Sequence, residues 1–582
     1  MTVLQTSSTP PRISSRSVDF VQRHAVLLSV IGASLFLVVA HLLMAWQPLT
    51  TDDNDYFVTA TQWQQHRQMV VHPQLYVHFL QLMLALFGKT AAAARLTTLL
   101  PNLLTVMLIP WLVWLVYADS VGYWRQRAIA VLAVWLYALS PLTVQNTALV
   151  DNDAGILIVA MLLLLAFWFA SSQMASWQRI LLLGAWLGLC FWLKLTTPPM
   201  AVTAIFGYSL LRGRWRDALV AIGFGLVGVL LFVATHLVYS TFTGYTLADA
   251  TSGVRGRLGG GASIIDWPAI FQSAGIYLLW LTLLLSVLFA TTIVQSIGRY
   301  LRRAAARQDL LILYSAIVIV VYVFLQVPAW GYPRYQSPAL PTVMIVTAAL
   351  VVAAQQRFSR RVFWLGVLVA SVTALLLGIL VGDPLYGLYA STFATTSSVE
   401  RLQAALAGIA TPLVIMALIG GGAFAWARWR GESALPLLLA TAIALVIGAY
   451  LALDVVQVGA DYSTRFRYTY RYADRQAAID WVDTSIPENG YVLADKDILW
   501  FVSRPGEQIN PYLIDPTTLV SAITTRRVDA IAWAQKEWLK APAAQNDAVL
   551  NDLLSRCYVE RTFGIFTVLL RKDAGDGGCD LP

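Results

Sequence analysis

Residues 25–45 read AVLLSVIGASLFLVVAHLLMA. The stretch holds no acid, lysine or arginine, and about 20 residues of helix cross a hydrocarbon core of ~30 Å. It is longer than the apolar core of a secretory signal and lacks a small-residue cleavage pattern, so it reads as a retained membrane helix. Similar runs recur as far as residue 456. Composition agrees: of 582 residues, 58% are hydrophobic and only 12% are charged, against about a quarter charged in soluble domains. The chain is therefore read as a polytopic α-helical membrane protein.

The net charge of +8 is a topology signal, and a nucleic-acid partner is excluded by its distribution. Arg12, Arg16 and Arg23, Arg125 and Arg127, Arg212, Arg214 and Arg216, Arg299, Arg302, Arg303 and Arg307, Arg357, Arg360 and Arg361, and Arg428 and Arg430 fall in every second gap between apolar runs. That alternation is the positive-inside pattern. With the N-terminus in the cytoplasm, about thirteen transmembrane helices are expected. They cover 25–46, 92–116, 128–143, 154–172, 179–194, 199–212, 218–240, 270–294, 309–328, 337–355, 362–382, 404–426 and 434–456. An odd count puts the remainder outside. The predicted domains are thus a membrane domain over 1–456 and an extracytoplasmic domain over 457–582.

The tail reads as α/β. DRQAAIDWVDTSI (474–486) has helical spacing, PENGYVLAD (487–495) is a turn and a strand, and CYVERTFGIFTVLLRKD (557–573) is a closing hairpin turning near Gly564. An oxidising exterior permits a Cys557–Cys579 disulfide, whereas Cys190 lies in a span.

Outside gaps hold nearly all the polar chemistry of the membrane region. The first, 47–91, is long. It opens with TTDDNDY (50–56), which puts Asp52, Asp53 and Asp55 at a membrane edge. They suit a helix start, where acids meet the positive end of the dipole. They equally suit a general base beside a second acid whose repulsion raises its proton affinity. YFVTATQWQQHRQMV (56–70) fits an interfacial helix, and HPQLYVHFLQLMLALFG (72–88) fits a second, amphipathic or re-entrant one.

Asp151 and Asp153 in QNTALVDNDAG (145–155) either cap the next span or bind a cation or sugar hydroxyl. Lys194 ends a span, where it snorkels or meets a phosphate. Arg334 stands between prolines in WGYPRYQSPALP (330–341), and Arg255 and Arg257 lie in the glycine-rich SGVRGRLGGGAS (252–263). Arginine and lysine at an outer-leaflet boundary suit a lipid phosphate.

Taken in order, these segments resemble the GT-C glycosyltransferases, specifically the branch with protein O-mannosyltransferases and lipid A aminoarabinose transferases. Asp52-Asp53-Asn54-Asp55-Tyr56 is similar to that family's D-E-x-x-Y, with Asp53 in place of Glu. His72-Pro73-Gln74-Leu75-Tyr76 is similar to H-P-P-L-Y, with Gln74 in place of the second Pro. Phe87-Gly88 with Arg95-Leu96, Ser140-Pro141 through Asp153, Leu187 to Lys194, and Pro333-Arg334-Tyr335 follow.

The resemblance implies a polyprenyl-phosphate-linked sugar donor, a lipid, glycan or protein acceptor, and transfer with inversion. It implies Asp52 as the base. Asp53, Asp55, Asp151, Asp153 and His72 would form the acceptor or sugar site. Lys194 and Arg334 would neutralise the departing lipid phosphate; Arg255 and Arg257 join them as donor-phosphate candidates from their charge at the outer-leaflet boundary alone. A divalent cation, Mg or Mn, is left open as a cofactor, with Asp53 and Asp153 to hold it if one is used. The rival class is a multi-pass transporter or flippase of lipid-linked or amphipathic substrates. It calls for polar groups near the midplane and inverted repeats.

Overall fold

A computed structural model describes residues 15–44, 51–61, 63, 73–251, 283–302, 304–325, 334–354, 434–459, 472–499, 502–508, 516–525, 527–534, 546–564 and 566–572, with isolated positions between 267 and 274 and between 368 and 429. The spans expected over 362–382 and 404–426 lie outside the described residues, as does Cys579.

The membrane region runs α1 (Ser15–Met44), α2 (Thr51–Thr61), α3 (Leu75–Phe87), α4 (Ala91–Tyr117), α5 (Tyr123–Ala138), α6 (Pro141–Thr147), α7 (Ile156–Ala170), α8 (Ser176–Leu193), α9 (Thr197–Leu211) and α10 (Trp215–Thr243). It continues with α11 (Leu283–Leu301), α12 (Gln308–Phe324), a 3₁₀ turn (Arg334–Ala339), α13 (Leu340–Ala354) and α14 (Ala434–Gly459). Among the described residues, six helices are long and apolar enough to cross a membrane, or seven if the bent pair α5–α6 forms one span.

That bend corrects the single span expected over 128–143. The chain turns by 60° between the two helices, because Pro141 at the start of α6 cannot extend the ladder of α5. The short α6 is buried throughout. His41 Nδ1 lies 2.7 Å from the Thr147 carbonyl, and Asn146 Nδ2 donates to Ser337 Oγ at 3.2 Å. Three distant parts of the chain therefore meet at this short helix.

Lipid offers no hydrophobic drive between helices, so close approach has to come from small residues. The pair α8–α10 has them. Gly184 and Gly188 are spaced G-x-x-x-G on α8, and from α10 Gly228 approaches Leu187 while Gly223 approaches Ile180. A Cβ at Gly184 would lie 2.5 Å from Val227 Cγ1, and one at Gly228 would lie 2.7 Å from Leu187 Cδ2.

Residues 472–572 build a five-stranded sheet in the order β2-β1-β3-β5-β4. Its strands are β1 (Val492–Ala494), β2 (Gly506–Gln508), β3 (Ala530–Ala534), β4 (Tyr558–Phe563) and β5 (Phe566–Arg571). β2, β1 and β3 are parallel, and β5 joins antiparallel to both β3 and β4. Val492 and Ala494 pack with Ala478 and Val482 on one face, while Leu493 and Ile531 pack with Ile523 and Leu550 on the other. The period-2 alternation of a strand thus feeds two cores. Gly564 turns the β4–β5 hairpin at φ 57°, and Cys557 is disulfide-bonded.

Gly184→Val is expected to lower the thermal unfolding temperature of the detergent-purified protein, since overpacking costs about 1–3 kcal/mol. Gly298→Ala, where a Cβ would meet nothing within 4 Å, is the control and leaves it unchanged.

Candidate active site

Residues 148–155 join α6 to α7 without helical geometry, yet Asp151, Asn152 and Asp153 are 1%, 1% and 2% exposed. A buried carbonyl left without a donor costs about 1–3 kcal/mol. Arg95, Thr98 and Asn102, at i, i+3 and i+7 on one face of α4, meet that need. Arg95 Nε donates to the Ala148 carbonyl at 2.8 Å, Thr98 Oγ1 to Leu149 at 2.6 Å, and Asn102 Nδ2 to Ala154 at 2.8 Å. Tyr137 Oη, at 2.6 Å, in turn donates to Asn102 Oδ1. From the other side, Asn152 Nδ2 donates to the Leu193 carbonyl. Only glycine fits at 155, because a Cβ there would lie 2.9 Å from both Thr97 O and Thr98 Cα.

The stapled segment carries the acids inward. Asp151 Oδ1 accepts the Asp153 amide at 2.8 Å, and Asp151 Oδ2 lies 3.1 Å from Arg334 Nη1. Asp153 pairs with Lys194, which is 3% exposed. Asp53 reaches the same segment from α2, where its Oδ1 accepts the Val150 amide at 3.1 Å. The acidic run is thus the first turn of a helix, as its cap-like reading expects. Yet Asp53 is buried and bonded across to another loop instead of being solvated.

Two sequence expectations are corrected. Asp151 and Asp153 do not cap α7, whose cap residue is Gly155. Lys194 does not snorkel: its Nζ is 3.7 Å from the Tyr335 ring centroid, a cation–π contact made strong by desolvation. Tyr335 stacks on Tyr322 at 5.7 Å and 29°. Tyr322 is itself fixed, its Oη lying 2.8 and 2.7 Å from the hydroxyls of Thr196 and Thr197.

Tyr56, one turn beyond Asp53, is fully buried against the acids. Burial first, then Asp151 and Asp153, hold its hydroxyl pKa well above the ordinary range. The Tyr76 ring meets it edge-on at 4.9 Å, with Tyr76 Oη 2.8 Å from Thr97 Oγ1.

Of the residues singled out from sequence, the structure thus gathers Asp53, Asp151, Asp153, Lys194 and Arg334. Asp55 is half-buried in α2. Asp52 gives its backbone to the first turn of α2, and its side chain lies outside the described residues, as do His72, Arg255 and Arg257. Sequence reasoning assigned no role to Tyr56, Tyr76, Tyr322 or the Arg95–Thr98–Asn102 face. Tyr56, Tyr76 and Tyr335 stood inside the quoted segments, so a signal was present for them. Tyr322, within an unbroken apolar run, had none.

Residues 71–239 match a family model described as dolichyl-phosphate-mannose-protein mannosyltransferase. The match includes Asp151, Asp153 and Lys194 and leaves Asp52, Asp53 and Arg334 outside it. No curated protein matches the chain in a sequence comparison. Among solved structures, ArnT from Cupriavidus metallidurans bound to undecaprenyl phosphate is similar, with a TM-score of 0.55 and 13% identity over 95% of this chain and 99% of that one. The apo form of ArnT gives 0.54 and 15% over 95% and 98%. The archaeal oligosaccharyltransferase AglB from Archaeoglobus fulgidus, in complex with an inhibitory peptide and a dolichol-phosphate, gives 0.50 and 11% over 96% and 76%. The chain has the GT-C fold of these membrane glycosyltransferases.

Lys194→Met leaves Asp153 charged and buried, which costs about 3–5 kcal/mol. Thermal unfolding in detergent is expected to show a clear loss of stability, partly recovered in the double variant Lys194→Met/Asp153→Leu.

Proposed function

We propose that the chain transfers a monosaccharide from a polyprenyl-phosphate donor to an acceptor hydroxyl, with inversion, at the extracytoplasmic face of the cell membrane. The N-terminus lies in the cytoplasm and the C-terminal α/β domain outside in this reading. The observation that carries it is the convergence of three carboxylates and two cations, from four separate parts of the chain, in one buried cluster of a GT-C fold. A membrane-edge cluster of both signs suits a reaction that removes a proton at one point and releases a phosphate at another.

Asp52 takes the acceptor hydroxyl proton as the new C–O bond forms at the anomeric carbon. The bond from that carbon to the phosphate oxygen breaks, and the polyprenyl phosphate leaves with the electron pair. Arg334 is the more accessible cation, its side chain 12% exposed against 3% for Lys194, so it meets the phosphate directly. Lys194 is enclosed by Asp153 and Tyr335 and acts through its field. Asp151 orients Arg334 and yields part of that pairing to the phosphate.

Asp153 pairs with Lys194 through Oδ2, while its Oδ1 is buried with no hydrogen-bond partner among the described residues; Asp151 pairs with Arg334 and the Asp153 amide, and Asp53 accepts the Val150 amide. No group of three ligating side chains gathers among the described residues. No step of the proposal runs through a metal.

The test is transfer in vitro from synthetic polyprenyl-phosphate sugars. Asp52→Asn is expected to lower kcat by about 10²–10⁴-fold with the donor still bound. Arg334→Gln is expected to lower kcat/KM by roughly 10²–10³-fold. Full activity in Asp52→Asn would remove the base assignment. Donor binding without transfer by the unaltered chain would favour a transporter or flippase.

A further inference from the structure

The end of the helix bundle opposite the acid cluster holds a second charged site. Arg179 and Lys194 lie at opposite ends of α8, ~22 Å apart at ~1.5 Å rise per residue. Around Arg179 there is a cavity of about 120 Å³, whose described lining includes Arg212, Arg214, Arg307, itself ion-paired with Asp119, and a single carboxylate, Asp217. Helix termini supply the lining: the ends of α7 and α9 and the starts of α8, α10 and α12.

Loop arginines on this face are expected from topology alone, but Arg179 is not a loop arginine. It is 6% exposed and its guanidinium lies 4.3 Å over the Trp168 ring. Its Nη1 donates to Asp217 at 2.9 Å. Its Nε is buried without a hydrogen-bond partner among the described residues. An arginine held this deeply with a donor unused implies a missing acceptor. Arg212 is turned into the same space, where Nη1 donates to Tyr208 Oη at 2.8 Å. Arg214 is 3.8 Å from Asp217, so this one acid is shared between two arginines.

The surroundings indicate which anion fits. Trp215 is 60% exposed, as an aromatic at a membrane–water boundary would be, and Leu211 and Leu219 are 46% and 54% exposed beside it. These residues flank the lining Arg212, Arg214 and Asp217 in the chain, so the basic cavity neighbours exposed apolar helix surface. We propose that this cavity binds the phosphate headgroup of an anionic membrane lipid, with Arg179 and Arg212 donating to the phosphate oxygens and the acyl chains lying along α9 and α10. Basic pockets between helices at a membrane surface recognise such headgroups. The proposed orientation makes this the cytoplasmic leaflet.

The experiment is native mass spectrometry of the full chain in detergent with equal phosphatidylglycerol and phosphatidylcholine. Phosphatidylglycerol is expected to be retained preferentially. The double variant Arg212→Gln/Arg214→Gln, altered at the cavity rim, is expected to lose that preference by roughly tenfold or more. Arg125→Gln, an exposed arginine outside the cavity, keeps it. Equal retention by the double variant and the unaltered chain would overturn the proposal. Binding of inorganic phosphate without phosphatidylglycerol retention would also overturn it, making this a free-anion site. The readout is independent of sugar transfer, so it stands or falls apart from the glycosyltransferase reading.

Discussion

Backbone carbonyls buried away from water need donors, and in this protein that need arises at residues 148–155. A non-helical segment at the end of a span is tolerated only where protein satisfies it. Arg95, Thr98 and Asn102 do so from one face of α4. Everything chemical in the candidate site depends on that contact, because the segment presents Asp151 and Asp153 and offers the Val150 amide to Asp53. Without it the acids would have neither position nor reason to be buried.

Burial then dictates the charge pairing. Two carboxylates at 1–2% exposure are stable only when each meets a cation or an amide. Lys194 and Arg334 supply the charges, and the stacked Tyr335 and Tyr322 hold the ammonium on their side. The result is a cluster whose charges compensate one another at rest. In the proposed reaction an arriving phosphate would compete with Asp151 for a guanidinium already in place, as a preorganised site requires. At the opposite end of α8 the balance differs: among the described residues, arginines outnumber the single lining acid, and the buried Arg179 Nε has no hydrogen-bond partner.

Much of the arrangement was legible in the chain because membrane constraints are written in composition. The spans over 92–116, 154–172, 179–194 and 218–240 coincide with α4, α7, α8 and α10, since long apolar runs have one economical solution in lipid. The bend at Pro141 was missed because an apolar run looks continuous where its backbone turns. Asp151 and Asp153 stand out in the chain, but local spacing does not separate a capping role or a cation or sugar site from ion pairing. The partners, Lys194 and Arg334, lie 41 and 183 residues beyond them in the chain. Tyr322 was invisible because its apolar ring suits any span and its hydroxyl partners are long-range.

The sequence by itself determined that this is a membrane protein of many helices and which gaps carry its acids and cations, while its ordered segments resemble those of the GT-C glycosyltransferases. The helices and the charged gaps follow from hydropathy and charge alternation, which act along the chain. The tertiary structure alone decided that Asp53, Asp151, Asp153, Lys194 and Arg334 share one buried cluster and that Lys194 turns inward. It also gave Arg179 a cavity of its own. Each of these depends on side chains meeting across tens to hundreds of residues, and no periodicity within a single segment encodes such a meeting.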